Sequence, residues 1–465
     1  MTDPAVDFWG QAGGTPDALE RLTITGPDQA LPSIYDVTGL AAGAAGSSTL
    51  AASELFRQRT GRAQTATIDR RHAAIAFRSE RYLTIDGKPP TNPWDPASGY
   101  YPTGDGGLVQ LHCNFPHHRS RALGVLGIDD PGDDLVHAVI AEATTDWEAA
   151  NLEAALGEAE ACGAMLRSRE EWLATPQGQA AAALPALEVV RLGDGPTQQV
   201  GDGARPLGGV RVLDLTRVLA GPVCGRTLAS HGADVVRVGA ARLPIIESIY
   251  PDTSMGKRSC HLDLAIPDDL AVLTGLAGDA DVFLQGYRPH ALDQFGLSPQ
   301  ELAELRPGII YASLSAFGHD GPWSSRRGFD SLVQTASGIG RAGAAAAGVA
   351  GTRPLPAQAL DHGAGWLLAL GIMVALSRRA EEGGSWLVRT SLAQVGAWLD
   401  QRPRVDSLGL TDPNPAAVAD LLEKHESPIG TLRHVRPVGD LSDTGPRWDR
   451  APGPFGSDDP VWNVS

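Results

Sequence analysis

The chain has 465 residues, and 38 Lys+Arg against 55 Asp+Glu give a formal net charge of −17. That balance argues against nucleic acid or an anionic membrane as partner, and the length suggests about three domains. The apolar fraction of 42% is that of a globular chain and too high for global disorder. Cys113, Cys162, Cys224 and Cys260 are widely spaced with no CxxC pair, which speaks against a disulfide scaffold and a cysteine zinc site. The opening MTDPAVDFWG lacks the apolar core of a signal peptide, and the apolar stretch Trp366 to Leu376 is short for a bilayer span. A soluble, cytoplasmic protein is the expectation.

In chain order, residues 1–32 read as an irregular lead-in and 36–57 as a helix of small residues. TATID (65–69) reads as a strand, 88–107 as a breaker-rich loop and LVQLH (108–112) as a second strand. Residues 133–182 read mainly as helices, with capped starts at Asp146 and Ser168. A linker at 194–207 precedes a change of texture. VRVLDL (210–215), DVVRV (234–238), DVFLQ (281–285) and GIIYASLS (308–315) are buried-type strands separated by polar helical stretches. That alternation predicts an α/β fold with a doubly wound, mostly parallel sheet. An apolar helix follows at 361–379, and 436–465 reads as an extended tail. Asp36 before one small-residue helix echoes Asp361 before another, a weak internal repeat.

Several motifs carry chemistry. LDLTRVLAGP (213–222) is a strand-turn-helix whose helix N-terminus could attract an anion, although it is not GxGxxG. The pair Lys257-Arg258 could hold a phosphate or be solvated surface charge. His112, Cys113, His117 and His118 have metal-ligand chemistry but no standard zinc spacing, so a strand running into a helix is the better reading. Ser337-Gly-Ile-Gly-Arg-Ala-Gly reads as a flexible glycine-rich loop able to approach a carbonyl oxygen or phosphate, or as a mobile connector. Asp361 reads as an N-cap; there the helix would keep its carboxylate ionised and fit to attack an acyl group.

Taken together, GGVRVLDLTRVLAGP (208–222), LASHGADVVRV (228–238), GKRSCHLDL (256–264), DADVFLQGYRPHALDQFGLSP (279–299), the run 306–338 and LPAQALDHGAG (355–365) resemble the family III CoA-transferases, the CaiB/BaiF family. The resemblance implies a Rossmann-like large domain with a smaller α+β domain, in chains that interlock as homodimers. It implies transfer of CoA from an acyl-CoA to a carboxylic acid, with CoA as substrate and no metal or redox cofactor. The catalytic aspartate falls on Asp361, which would form an acyl anhydride and then an aspartyl-CoA thioester. Val218, Leu219 and Ala220 would line the CoA, with Lys257, Arg258, Tyr287 and Arg288 nearby. Basic positions of the family fall on Ala240, Ala265 and Gln294, for which Arg242, Lys257, Arg258, Arg288, Arg326 and Arg327 could compensate. A racemase branch of the family carries a histidine base where this chain has Phe329.

The domain order departs from the family. The segment resembling the small domain precedes the large one, as if a tandem duplicate had lost parts of both copies. The expected layout is a remnant of a first copy at 1–72, a small domain at 73–193, the linker 194–207, the large domain at 208–400 and the tail at 401–465. Asp36 is then a candidate second aspartate. A non-catalytic subunit pairing with a complete homologue is the alternative function, and acyl-CoA racemization a further one.

Overall fold

The structure is a computed structural model that describes residues 2–201 and 203–463. Near the N-terminus, β1 (Leu22–Thr25) and β2 (Ala66–Asp69) run parallel, connected by helix Val37–Thr60. Helix Arg70–Ala76 follows β2, and β3 (Thr84–Ile85) leads into the breaker-rich loop. A small antiparallel sheet is built from β4 (Gly99–Pro102), β5 (Leu108–Leu111) and β6 (Gly163–Met165). Helices Pro116–Leu126, Asp133–Ala143 and Ala149–Glu158 cover it around their own core of Val109, Leu111, Val136, Ile140 and Leu152. Ser168 begins its helix with the expected capping box to Glu171, whereas the Asp146 segment is a single 3-10 turn before the next helix.

The large sheet starts with β7 (Glu188–Gly193) and continues through β8 (Arg211–Leu215), β9 (Asp234–Gly239), β10 (Arg258–His261), β11 (Val282–Gln285), β12 (Ile310–Ser315) and β13 (Ser385–Ser391). Its order is β10-β9-β8-β11-β12-β13-β7, all parallel except β7. Alternate residues serve opposite faces. Val212, Val235, Val282 and Ile310 pack toward helices Ala220–Ser230 and Ala359–Glu382; Leu213, Val236, Phe283 and Tyr311 pack toward helices Pro267–Gly278 and Pro299–Leu305. Strand order reverses between β8 and β11, and the crevice beyond the carboxyl ends of strands at such a reversal is where open α/β sheets bind ligands. β7 lies in the segment 73–193 expected to form a small domain, yet its backbone pairs with β13 and completes the large sheet.

Helix Ala359–Glu382 is long and apolar enough to cross a membrane by composition, but it is buried between helices Ala220–Ser230 and Val37–Thr60. Small residues permit this. A Cβ on Gly365 would lie 2.4 Å from the Ala220 carbonyl oxygen and 2.9 Å from the Val223 side chain. The glycine-rich stretch expected as a loop is instead helix Ile339–Ala347. Its alanines are good helix formers, and Gly338 and Gly348, both at positive φ, flank it.

The tail is not merely extended. It carries a hairpin, β14 (Leu422–Ser427) and β15 (Gly430–Val435), which pairs with β3, and then β16 (Asp440–Leu441), antiparallel to β2. Beyond it the chain lies along the β10 edge, where Asp458 accepts from the Ser259 N–H at 2.8 Å.

The internal repeat is visible in three dimensions. β1, helix Val37–Thr60, β2 and antiparallel β16 repeat the arrangement of β12, helix Ala359–Glu382, β13 and antiparallel β7. Both helices have 24 residues, and their N-caps share one backbone geometry, φ −75° and ψ 65° at Asp36 and φ −74° and ψ 64° at Gln358. Asp36 thus matches Gln358, and Gly39 occupies the place of Asp361. Replacing Gly365 by valine is expected to push the two helices apart and lower stability by about 1–3 kcal/mol or more, read from urea unfolding.

Candidate active site

Asp361 is the third residue of helix Ala359–Glu382, with Gln358 rather than Asp361 as the cap. The N–H groups of Leu360 and Asp361 donate to Asp330 Oδ2 at 2.8 and 2.9 Å. Asp330 begins the helix Asp330–Ala336, and its other oxygen accepts from Gln334, which in turn accepts from the Leu355 N–H. Asp330 therefore caps the Asp361 helix from outside. Among the described residues, no group donates a hydrogen bond to the Asp361 carboxylate.

Asp361 is 9% exposed and lines two cavities. One, of about 320 Å³, is walled by Pro89, Pro93, Trp94, Ile246, Ile249 and Phe329, with Glu80, Arg81, His112 and Asp330 also facing it. The other, of about 510 Å³, lies at the sheet reversal, over Leu215, Gly286, Tyr287 and Leu314. Val218, Leu219 and Phe329 border both. Val218 adopts φ +68°, a costly conformation for a β-branched residue, which folds the turn back between the two cavities.

Arginines collect in the larger cavity. Arg121, Arg217, Arg288, Arg326 and Arg327 all line it. Glu160, itself at φ +52°, receives Arg121 at 2.9 Å, Arg288 at 3.0 Å and Arg327 at 3.2 Å. Hydrogen bonds from Arg288 and Arg327, then the Arg288 charge, push the Glu160 carboxyl down to about 2. Three cations on one anion leave local excess positive charge in a chain of net charge −17. Arginine's fixed fork of donors suits phosphate oxygens.

Acids collect at the other end. Burial, then the negative charges of Asp330 and Glu80, raise the Asp361 carboxyl well above the ordinary carboxylate range. Burial raises Asp330 to about 6 against the hydrogen bonds it accepts. Glu80 goes the other way. Burial would raise it, but the hydrogen bond and charge of His362, whose Nε2 lies 3.2 Å from Glu80 Oε2, together with Arg81, bring it below the usual value. The helix terminus does not hold Asp361 ionised, as a cap position would have; its first N–H groups are spent on Asp330.

The site brings together Asp361, Val218, Leu219, Ala220, Tyr287 and Arg288, but not the other two expected residues. Lys257 is fully buried, its Nζ 2.8 Å from both Asp214 Oδ2 and the Pro222 carbonyl, where it ties β8 to the first turn of helix Ala220–Ser230. Burial, outweighing Asp214, lowers it to about 8. Arg258 pairs with Asp234 at 2.9 Å and donates to the Val461 carbonyl. Arg242 pairs with Asp263 at the surface. Asp36 lies apart, in a cavity with Asp3, Asp28 and Arg70, accepting from the Gly39 N–H and from Gln29 at 2.8 and 2.9 Å. His112 stacks on Phe329 with ring centroids 3.7 Å apart rather than joining His117 and His118 around a common point. Sequence reasoning missed Glu80, Arg121, Arg217 and the capping role of Asp330. Only the aspartate next to Phe329 carried any local signal.

Residues 207–421 match the family model described as CoA-transferase family III. An "Acyl-CoA transferase" of Gibberella moniliformis is 32% identical over 375 residues, 73% of this chain and 66% of that protein. "Acetyl-coenzyme A transferase nodX" of Hypoxylon pulicicidum is 30% identical over 353 residues, 72% of this chain and 58% of that protein. A solved structure, a hypothetical protein (Rv3272) from Mycobacterium tuberculosis, is 32% identical, covers 43% of this chain and 59% of that one, and has a TM-score of 0.38. Residues 207–421 thus carry a CoA-transferase family III domain. The chain spans less than two thirds of the length of these relatives.

Two outcomes test this geometry. The folded protein holds a proton on Asp361 that the unfolded chain releases at lower pH, so this carboxyl costs stability as pH rises from the unfolded value, ~3.9, toward the folded one. Asp361→Asn should therefore melt higher than wild type, with a gap that grows from pH 5 to pH 8. Lys257→Met strands the Asp214 carboxylate in the interior and should cost about 3–5 kcal/mol in denaturant unfolding.

Proposed function

We propose that the chain is an acyl-CoA:carboxylate CoA-transferase with Asp361 as nucleophile. The observation that carries this reading is the position of that carboxyl between an arginine-bearing groove and a smaller, mostly apolar pocket. In this reading the sheet is a Rossmann-like CoA platform. The phosphates of CoA lie toward Arg121, Arg288 and Arg327, pantetheine runs past Tyr287 and Val218–Ala220, and the acyl group enters the pocket walled by Trp94 and Phe329.

An oxygen of ionised Asp361 attacks the thioester carbon. The C–S bond breaks, CoA leaves as thiolate, and an aspartyl acyl anhydride remains. The thiolate then attacks the Asp361 carbonyl, which releases the first carboxylic acid as carboxylate and leaves an aspartyl-CoA thioester. The incoming carboxylate attacks that thioester, giving a second anhydride and thiolate. Attack of the thiolate on the new acyl carbon yields the product acyl-CoA and restores the Asp361 carboxylate. The raised basicity of Asp361 favours its attack once the proton has left, and remote binding of CoA offsets the energy of the anhydride.

Racemization is the weaker reading. His112 stacks on Phe329, but burial lowers its ring to about 3, poorly matched to abstraction of an α-proton near neutral pH. A purely structural subunit is also disfavoured, because residues from 80 to 361 of a single chain complete the site. The same proposal includes a cytoplasmic protein that works as a homodimer or beside a homologue.

Incubation with an acyl-CoA followed by borohydride should reduce one aspartate, found at position 361 by peptide mass spectrometry. Asp361→Ala should lose the label and more than about 10⁴-fold in kcat/KM. Equal labelling and turnover in wild type and variant would remove the assignment. Asp330→Asn keeps an acceptor for the Leu360 and Asp361 N–H groups but removes a negative charge, so the acid limb of the pH–rate profile should move to lower pH.

A further inference from the structure

Outside the active site, Glu423, His425 and His434 bring a carboxylate oxygen and two ring nitrogens within 4.8 Å of one another. In the β14–β15 hairpin, Glu423 stands directly opposite His434, and His425, two residues along, faces the same side. His425 Nδ1 and His434 Nε2 are 2.9 Å apart, and Glu423 Oε1 lies 3.9 Å from each. The carboxylate is thus beyond hydrogen-bond reach of both rings. A point equidistant from these three atoms lies about 2.1 Å from each, the length of a Zn–N or Zn–O bond. His434 Nδ1 donates to the Val435 carbonyl at 3.0 Å, which fixes its tautomer and leaves the Nε2 lone pair facing the cluster. A backbone carbonyl behind a ligating histidine is the usual support of such a ligand. The His434 side chain is fully buried, whereas His425 and Glu423 remain 30% and 37% exposed, so an ion has a path in and water has room to complete the shell.

We propose that Glu423, His425 and His434 bind a first-row divalent cation of the zinc type. Binding displaces the proton held between the two ring nitrogens; His425 changes tautomer and carries that proton on Nε2, so both rings ligate as neutral imidazoles. A small rotation of half-exposed His425 widens the nitrogen pair toward tetrahedral spacing. The hairpin is bound to β3 through Arg433 and Leu432, and the chain leaving β3 forms the Pro89–Trp94 wall of the smaller cavity. A bound ion would therefore stiffen the sheet from which that wall hangs. The inference does not rest on the proposed reaction.

The test uses untagged, chelator-treated, full-length protein, titrated with Zn²⁺ by calorimetry and with Co²⁺ by visible absorption. One site of micromolar or tighter affinity is expected, with weakening of about tenfold or more in His425→Ala and in Glu423→Gln. These two residues are chosen because buried His434 also packs the hairpin, and unchanged thermal unfolding of the metal-free variants would confirm that the fold is kept. No binding at 100 µM metal (about −5.5 kcal/mol), or one-site binding equal in wild type and both variants, would overturn the proposal.

Discussion

The Asp330 carboxylate takes the N–H groups of Leu360 and Asp361, and the character of the site follows from those two bonds. A helix N-terminus ordinarily stabilises a nearby anion. Here that stabilisation goes to a side chain from another helix, and Asp361 is left with burial, the negative charges of two neighbours and no donor. A carboxyl in such surroundings is basic, poorly solvated and turned toward open space. Charge is divided between two cavities, mostly cations in one and mostly acids in the other, and among the described residues the ionisable side chain that lines both is Asp361.

The close helix approach at Gly365 serves the same arrangement. It brings the start of helix Ala359–Glu382 against the first turn of helix Ala220–Ser230, so Asp361 reaches the strained Val218 turn at the carboxyl end of β8. Lys257 fixes that turn from beneath by joining Asp214 to Pro222. A lysine that the sequence offered as a phosphate holder or as surface charge is thus a buried brace between β8 and the helix that follows it. The N-terminal unit has the same scaffold, two parallel strands around a 24-residue helix, without a carboxyl at the matching place. Gly39 stands where Asp361 would, and the Asp36 side chain folds back onto the Gly39 N–H.

Most of the large sheet was legible because its strands are continuous apolar runs between polar helical stretches, and doubly covered parallel strands require such runs. The apolar helix that carries Asp361 was legible from its residues, but not that Gln358 is its cap and Asp361 its third residue. The Ser337–Gly351 segment misled, since glycine richness suggests a loop, while the alanines between Gly338 and Gly348 form a helix bounded by those glycines. The tail misled similarly, because its hairpin finds its partner strand only in β3, far away in sequence.

The sequence by itself determined the family resemblance, most of the parallel strands and the place of Asp361 at the start of an apolar helix, all of which depend on local residue order. Tertiary structure decided which charges face the site. Arg121 and Arg327 meet at Glu160, and Lys257 finds Asp214, across stretches of 39, 167 and 43 residues. Ion pairs form wherever folding brings opposite charges within a few ångströms, and neither composition nor spacing encodes that distance.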